Sequence, residues 1–598
     1  MVGKIISIAN LEIEIELNIN EEQKKNLINF HVVFELDDRR VLGEVSSVNE
    51  NNASISLIGE IVNNDFIPGV SKKPFFGAEC RIIKEEELAL IIGANIPGIK
   101  FNVGLLPQYS NYKVNIPVDS FFNNHFSILG NTGSGKSHGL ARLVQNLYLD
   151  PNNIPLNSNL LIFDAYGEYG TAFGFLNRFP NAAFKTYTTK VSGFEDVRSE
   201  VLKIPPWLLG VDDYALLLES ESVTQLPMIE KALKLVSIFA KAEEEVIVYK
   251  NDIIARALEE ILYSGGTPMQ IRDQIFAVLT SFNTRDLSLE SKVIVPGWTR
   301  TLRQCLIIDK DGKIQEINLV SEYFKSFKKE GLELRMPDGT YTYTLKDLKD
   351  AFDFALISEG MLQSEHVYED ANKLKVRMNS LVTSVKGEYF NVKEYISKQD
   401  YVKNMVYTKD GRKAQIINFN INYIDDRFAK VLVKIISKQV FEYCAALDDR
   451  ASNPYHLILE EAHRYVQNDN DINIIGYNIF ERITKEGRKY GVILGMISQR
   501  PSEISETAIS QCTNFLVFRM QHPKDLRYIK EMIPNISEEI IDKFKVLQPG
   551  NCMAFGSAFK IPLLLKLPLP NPLPYSQNTD IQGCWYIKKG EEILSIDK

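Results

Sequence analysis

Residues Gly130 to Ser137 read Gly-Asn-Thr-Gly-Ser-Gly-Lys-Ser, the spacing of a phosphate-binding loop. The apolar run Phe126-Ser127-Ile128-Leu129 precedes it, and a helix-like run from His138 to Tyr148 follows. That is the strand, loop, helix order such a loop requires. Gly130, Gly133 and Gly135 free the backbone to turn its N–H groups, with those of Asn131, Thr132 and Ser134, toward phosphate oxygens. The following helix points its positive end at the same anion, so His138 in its first turn also borders the phosphates. Lys136 is placed to reach the β- and γ-phosphates and Ser137 to hold a magnesium ion. The expected nucleotide is ATP, with Mg2+.

A second set of residues supplies the rest of a hydrolytic site. Leu457-Ile458-Leu459-Glu460-Glu461 is an apolar strand ending in two acids. In a Walker B strand the first acid, here Glu460, orders the magnesium shell. The second, Glu461, is the expected general base for the attacking water. The alternative is a strand end with solvated acids. Asp164 and Glu168 end another predicted strand, where ligands bind in open parallel sheets. They either hold the magnesium or its water shell, or cap the start of a loop and helix. Gln499 ends the strand Val492 to Ser498, where a neutral amide can contact the γ-phosphate and the attacking water; otherwise it is a polar loop residue. Arg488, in Thr484-Lys485-Glu486-Gly487-Arg488-Lys489-Tyr490-Gly491, is a candidate cation for the transferring phosphoryl group, reaching into a neighbouring subunit. Lys485, Arg488 and Lys489 equally suit a face toward DNA or toward solvent.

The elements that must position these residues fall into five stretches. Residues 1–112 show period-two alternation, as in Ile13, Ile15 and Leu17 against Glu12, Glu14 and Glu16. Further runs at Val32 to Leu36, Val41 to Val48 and Ala53 to Ile61 are separated by turn residues such as Asn63-Asn64-Asp65. Short strands at this spacing suggest a small barrel. Residues 113–204 carry the first part of the nucleotide core. Residues 205–410 are mostly helical, with a β-like patch around Val293 to Val320 and Met336 to Thr344. Residues 411–567 return to strands alternating with helices, including a predicted helix Ile474 to Lys489, and imply a parallel sheet covered on both faces. Residues 568–598 open on a Pro-rich run that reads as an extended arm.

Composition narrows the class. Apolar residues make up 45% and charged residues 24%, ordinary for a globular protein, and 598 residues exceed one domain. No apolar run approaches the ~18 residues that cross a bilayer, and the N-terminus lacks a signal-peptide core. No membrane association is therefore expected. The six cysteines form no Cys-x-x-Cys pair, which points to a reducing cytoplasm. The net charge of −9 argues against a surface coated in basic residues.

The β-rich start followed at once by Gly130–Ser137 resembles the HerA family of hexameric DNA translocases. So do Ile162-Phe163-Asp164-Ala165-Tyr166-Gly167-Glu168-Tyr169, Glu460-Glu461-Ala462-His463, Glu486-Gly487-Arg488-Lys489-Tyr490-Gly491 and Ser498-Gln499-Arg500-Pro501-Ser502-Glu503-Ile504-Ser505. The resemblance implies an α/β fold: a RecA-like P-loop ATPase core of the HerA–FtsK type, an N-terminal HAS β-barrel and a helical-bundle insertion. It also implies a homo-hexamer with ATP sites between subunits and duplex DNA through the ring. On the barrel it implies an effector: a NurA-type nuclease, a sirtuin-like NADase or another nuclease. In bacteria the resemblance extends to HerA-like proteins of antiphage systems, and with a Lys- and Asn-rich composition that suits an AT-rich genome it implies such a defence protein as the expectation.

Overall fold

The structure is a computed structural model. It describes the chain except residues 1, 11, 21–26, 37, 94–95, 192–198, 242, 296, 331–341, 360–364, 534–535, 537, 576–579 and 586–598.

Seven strands form the N-terminal sheet: β1 (Gly3–Ile8), β2 (Glu12–Leu17), β3 (His31–Glu35), β4 (Arg40–Val48), β5 (Asn52–Val62), β6 (Asp65–Pro68) and β7 (Cys80–Ile82). Their order is β2-β1-β7-β3-β4-β5-β6, and β5 also pairs with β2, so six strands close into a barrel. Closure pairs the β2 edge and leaves the short β6 outside the barrel. The alternation seen in sequence has its consequence here: Ile13, Ile15 and Leu17 point inward to join Val32, Phe34, Val41 and Ile55. Asn63 and Asn64, both with positive φ, make the two-residue turn from β5 to β6. Such a turn matches the twist of the strands it joins.

The central sheet has twelve strands: β8 (Lys100–Leu106), β9 (Tyr112–Pro117), β10 (Phe126–Leu129), β11 (Leu160–Asp164), β12 (Phe184–Thr188), β13 (Ser199–Val201), β16 (Ile416–Asn420), β17 (Tyr455–Leu459), β18 (Val492–Ser498), β19 (Asn514–Phe518), β20 (Asn551–Gly556) and β21 (Leu563–Lys566). A separate hairpin pairs β14 (Lys292–Val295) with β15 (Trp298–Thr301). The central order is β13-β12-β16-β11-β17-β18-β10-β19-β20-β21-β8-β9. The first eight are parallel and the last four antiparallel. Strands buried on both faces are apolar throughout. Every residue of β10, β11, β17, β18 and β19 is buried. Successive residues serve opposite layers. Ile128, Ile162 and Ile458 pack with Leu140 and Val144 of the P-loop helix Lys136–Asn146. Leu129, Phe163 and Leu459 face the long helix Asp426–Ala445 and the helical region beyond it.

Three expectations shift. The β8–β9 hairpin belongs to the central sheet through β21, so a boundary at residue 112 would cut that hairpin. Alternation marks a strand but not the sheet it joins; here Gly104, whose Cβ would lie 3.2 Å from Leu565 Cβ, lets β8 approach β21. Among the described residues the β-like patch reduces to the β14–β15 hairpin and an isolated Ile308–Ile314 bridge, since Ile317–Phe327 is a helix. Most of Met336 to Thr344 lies outside the described residues. The helix expected over Ile474 to Lys489 is broken: Gly476 at φ 86° ends Asp471–Ile475, and Asn478 caps a new helix, Ile479–Glu486.

The 205–410 region is helical, from Val211–Leu217 to Lys398–Met405, and shares one hydrophobic cluster with the central sheet. Two buried lysines on successive turns of Asp426–Ala445 pin its surroundings. Lys438 holds Asp212 (2.6 Å) and Asp213 (2.9 Å) at the start of Val211–Leu217. Lys434 pairs with Asp469 and Asp471 beyond β17. The Pro-rich segment does not project. It runs back over the P-loop helix: Gln145 Nε2 donates to Pro572 O (2.8 Å), Asn571 N donates to Gln145 Oε1 (2.8 Å) and Tyr575 N donates to Glu168 O (2.8 Å).

Candidate active site

Register alone gathers the site. Leu129 pairs with Ser498, and Phe163 pairs with Leu459, which in turn pairs with Met496. The residues that follow, Gly130, Gln499, Asp164, Glu460 and Glu461, therefore emerge at one rim, the C-terminal ends of parallel strands. Gly130 sits at φ 152°, and a Cβ there would lie 2.7 Å from Phe518 Cβ. Gly135 sits at φ 109° against the Gly550 backbone. Both positions need glycine to let the loop curl between β10 and β19.

Lys136 is buried, and its Nζ donates to Asn131 O (3.1 Å) across the loop. Ser137 Oγ donates to Glu460 Oε1 (3.2 Å), and Tyr169 OH donates to the same oxygen (3.1 Å). Gln499 bridges two motifs: Thr132 Oγ1 donates to its Oε1, and its Nε2 donates to Glu461 Oε1 (3.1 Å). Glu461 sits at φ 51° directly after β17. A cleft lined by Asn131, Thr132, Gln499, Arg500, His522 and Lys524 opens beside the loop.

Asp164 is spent on structure. Its Oδ1 accepts from the N–H of Gly167 (2.7 Å) and Glu168 (3.0 Å), and its Oδ2 from Tyr169 N–H (3.0 Å) and Asn418 Nδ2 (3.1 Å). Four donors fill four lone pairs, leaving none for a cation. Of the two readings the sequence allowed, Asp164 is the loop cap. Arg488 is also absent from this chain's own rim. It lies just before β18, whereas Gln499 lies just after, and seven strand residues separate the two ends by roughly 20 Å. It is exposed, and its charge falls on the buried imidazole of His125.

The electrostatics ask for a cation. Burial, then Asp164, Glu168 and Glu461, pushes the Glu460 carboxyl well above the usual range. Burial and Asp164 raise Glu168. Burial lowers Lys136, partly offset by Glu461, Glu460 and Glu168. Glu460 Oε2 and the Ser134 hydroxyl are buried without a hydrogen-bond partner. No cluster of three His, Cys, Asp or Glu ligands exists among the described residues. That donor set fits Mg2+, which takes one or two protein oxygens and fills its shell with water and phosphate. Ser137 and Glu460 are the side chains placed to hold it; Glu168 is half-buried beside Ser137.

A profile for "Helicase HerA, central domain" matches residues 101–440, more than half of the chain. The chain belongs to the HerA helicase family. As a HerA-family protein it is an ATPase. The DNA double-strand break repair helicase HerA of Pyrococcus furiosus is 22% identical over 532 residues, covering 87% of this chain and 78% of that protein. Its counterpart in Sulfurisphaera tokodaii is 23% identical over 593 residues, covering 95% and 92%. Among solved structures, VirB4 of Thermoanaerobacter pseudethanolicus aligns over 79% of this chain and 97% of its own at 14% identity, with a TM-score of 0.41. No helix among the described residues is long and apolar enough to cross a membrane.

Several side chains of this HerA site drew no role from the sequence. Tyr169 reaches Glu460, Tyr166 OH lies 3.5 Å from Glu461 Oε1, and Asn418 steadies Asp164. All three bind through pairings between distant strands. Only the tyrosines had a signal, in their position beside Asp164 and Glu168.

Proposed function

We propose that this chain hydrolyses ATP with Mg2+ to move duplex DNA through a six-membered ring. The observation that carries the reading is the polar chain from P-loop Thr132 through Gln499 to Glu461, next to Lys136 and Ser137. Lys136 and the loop N–H groups bind and orient the phosphates. Glu461, aimed by Gln499, takes the proton of the attacking water. Bound Mg2+ neutralises charge on the phosphate oxygens. Ser137 and Glu460 would hold that ion, with Glu168 beside Ser137. Arg488, remote from its own rim, serves a neighbouring copy across the subunit boundary. The curated relatives are DNA repair helicases by name, which supports duplex DNA as the polymer. The barrel ends before the β8–β9 hairpin, and the stretches bounded at residues 204, 410 and 567 act as split core, insertion and a Pro-rich segment laid on the core. The barrel docks an effector nuclease or NADase, in an antiphage setting in the cytoplasm.

A second reading keeps the ring as an ATP-gated scaffold that assembles the effector without processive movement. The net charge of −9 favours it, because a DNA motor gains from a basic footprint. ATPase rate with and without duplex DNA, on the chain alone and on complex recovered from the native host, separates the two. DNA stimulation that vanishes in Lys136→Ala supports the motor. A rate indifferent to DNA, with an effector co-purified, supports the scaffold.

A further inference from the structure

We propose that His463 is a positioning residue that holds Glu461 in its working orientation by tying it to Ser498. The proposal rests on the reading of Glu461 as general base.

Glu461 carries a left-handed backbone, φ 51°, at a residue with a Cβ. Such a conformation persists where the surroundings over-determine it. One set of hydrogen bonds and one packed contact, the latter at an Oε2 that has no hydrogen-bond partner, supply that determination. Gln499 Nε2 holds Oε1 at 3.1 Å, with Tyr166 OH at 3.5 Å on the same oxygen. On the other side His463 Nδ1 stands 3.3 Å from Oε2. The same Nδ1 lies 3.0 Å from Ser498 Oγ, and Ser498 Oγ accepts from Arg500 N (3.0 Å). His463 and Ser498 are both buried, so neither contact is shared with solvent.

Ser498 and Gln499 are consecutive. The tip of β18 therefore holds Glu461 twice: directly through Gln499, and through His463 by way of Ser498. Ser498 Oγ has two lone pairs; one takes Arg500 N–H, and with the imidazole proton on Nδ1 the other accepts from Nδ1–H, which also lies beside Oε2. The imidazole then stands as a wedge between the strand tip and Oε2. Without the wedge Oε2 can swing into the vacated space. A base that samples several orientations spends less time aimed at water, and turnover falls while the phosphate contacts stay intact. The signature is thus in kcat and not in nucleotide affinity.

The test is steady-state ATPase together with equilibrium binding of a fluorescent non-hydrolysable ATP analogue. The chains are His463→Ala, His463→Asn, Ser498→Ala and the His463→Ala/Ser498→Ala double variant. His463→Ala is expected to lower kcat about 10- to 100-fold with affinity within about threefold. His463→Asn, whose amide can occupy the Nδ1 position, is expected to recover much of that loss. Ser498→Ala should cost less than His463→Ala and add almost nothing in its background, as for two members of one linkage. An unchanged kcat in His463→Ala, affinity falling in step with kcat, or additive losses in the double variant would each overturn the proposal. If His463→Ala does not fold, Ser498→Ala decides alone: kcat lowered at constant affinity supports the linkage, and unchanged kcat refutes it. Lys136→Ala is the control for the underlying reading. ATPase surviving that change would fault the nucleotide site itself rather than the role of His463.

Discussion

At the scale of single residues, the site crowds acids around one buried lysine. Asp164 is consumed by four donors, and its charge raises both Glu460 and Glu168. Two predictions follow from that crowding. Glu461→Gln keeps size and hydrogen bonding but removes the base. It should bind the ATP analogue like wild type while turnover falls about 100-fold or more. Glu460→Gln tests the buried charge. Its folded-state pKa lies above its unfolded value, so its contribution to stability is fully present below the unfolded pKa and is lost as pH rises toward the folded one. Above the unfolded pKa and without Mg2+ the buried carboxyl is therefore a cost. The variant should melt higher than wild type in chelator-containing buffer, with the gap narrowing as pH falls. Calorimetry at pH 7 and near pH 4.5, the unfolded value, reads this; a lower Tm for the variant at pH 7 would refute it.

At the scale of elements, buried neutral histidines join parts that sequence periodicity treats separately. His31 of β3 meets Tyr109, from the turn between β8 and β9: Tyr109 OH accepts from His31 N (2.8 Å) and lies 2.8 Å from Nδ1. His125, just before β10, accepts from Leu494 N of β18 at Nδ1 (2.9 Å). Burial, the largest cause, lowers each pKa to about 4 from 6.5. The unfolded chain gains these protons near pH 6.5 and the folded chain only near 4. Stability present above pH 6.5 is thus lost as pH falls toward 4, by on the order of 3 kcal/mol per histidine. His125→Asn, which keeps an acceptor but no basic site, should lose less over that window in denaturant titrations at pH 7, 5.5 and 4.5. The phosphate loop and the acid-tipped strand could be read from sequence because local spacing encodes them. The barrel strands could be read because alternation does. Tyr109 on His31, Tyr169 on Glu460 and β8 beside β21 could not, since each pairs residues far apart along the chain. The helix break at Gly476 was locally visible as a glycine but was outweighed by the apolar period around it.

At the scale of the whole molecule, the 205–410 region and the Pro-rich segment are both anchored to the nucleotide core. Lys438 grips Asp212 and Asp213, and Gln145 reads two successive backbone positions, Asn571 and Pro572, while also donating to Ala172 O (3.0 Å). Gln145→Ala removes all three bonds at a fully buried position and should destabilise by about 2–3 kcal/mol, read as a lower midpoint in denaturant. Because Tyr575 N donates to Glu168 O, the same change should also weaken magnesium-dependent nucleotide binding more than metal-free binding. Equal weakening of the two would separate the segment from the site.

The strand order also governs how this protein is born. β10, apolar along its length, lies between β18 and β19, which the ribosome makes some 370 residues later. At 5–20 residues per second that is a wait of roughly 20–80 s. Through most of it, the P-loop has been synthesised but has neither flanking strand, no Glu460 and no Glu461. A nascent chain at that stage cannot consume ATP, and it displays an unpaired apolar strand that chaperones must shield. Ribosome stalling within the helical region would therefore leave an inert but aggregation-prone product, never a rogue ATPase.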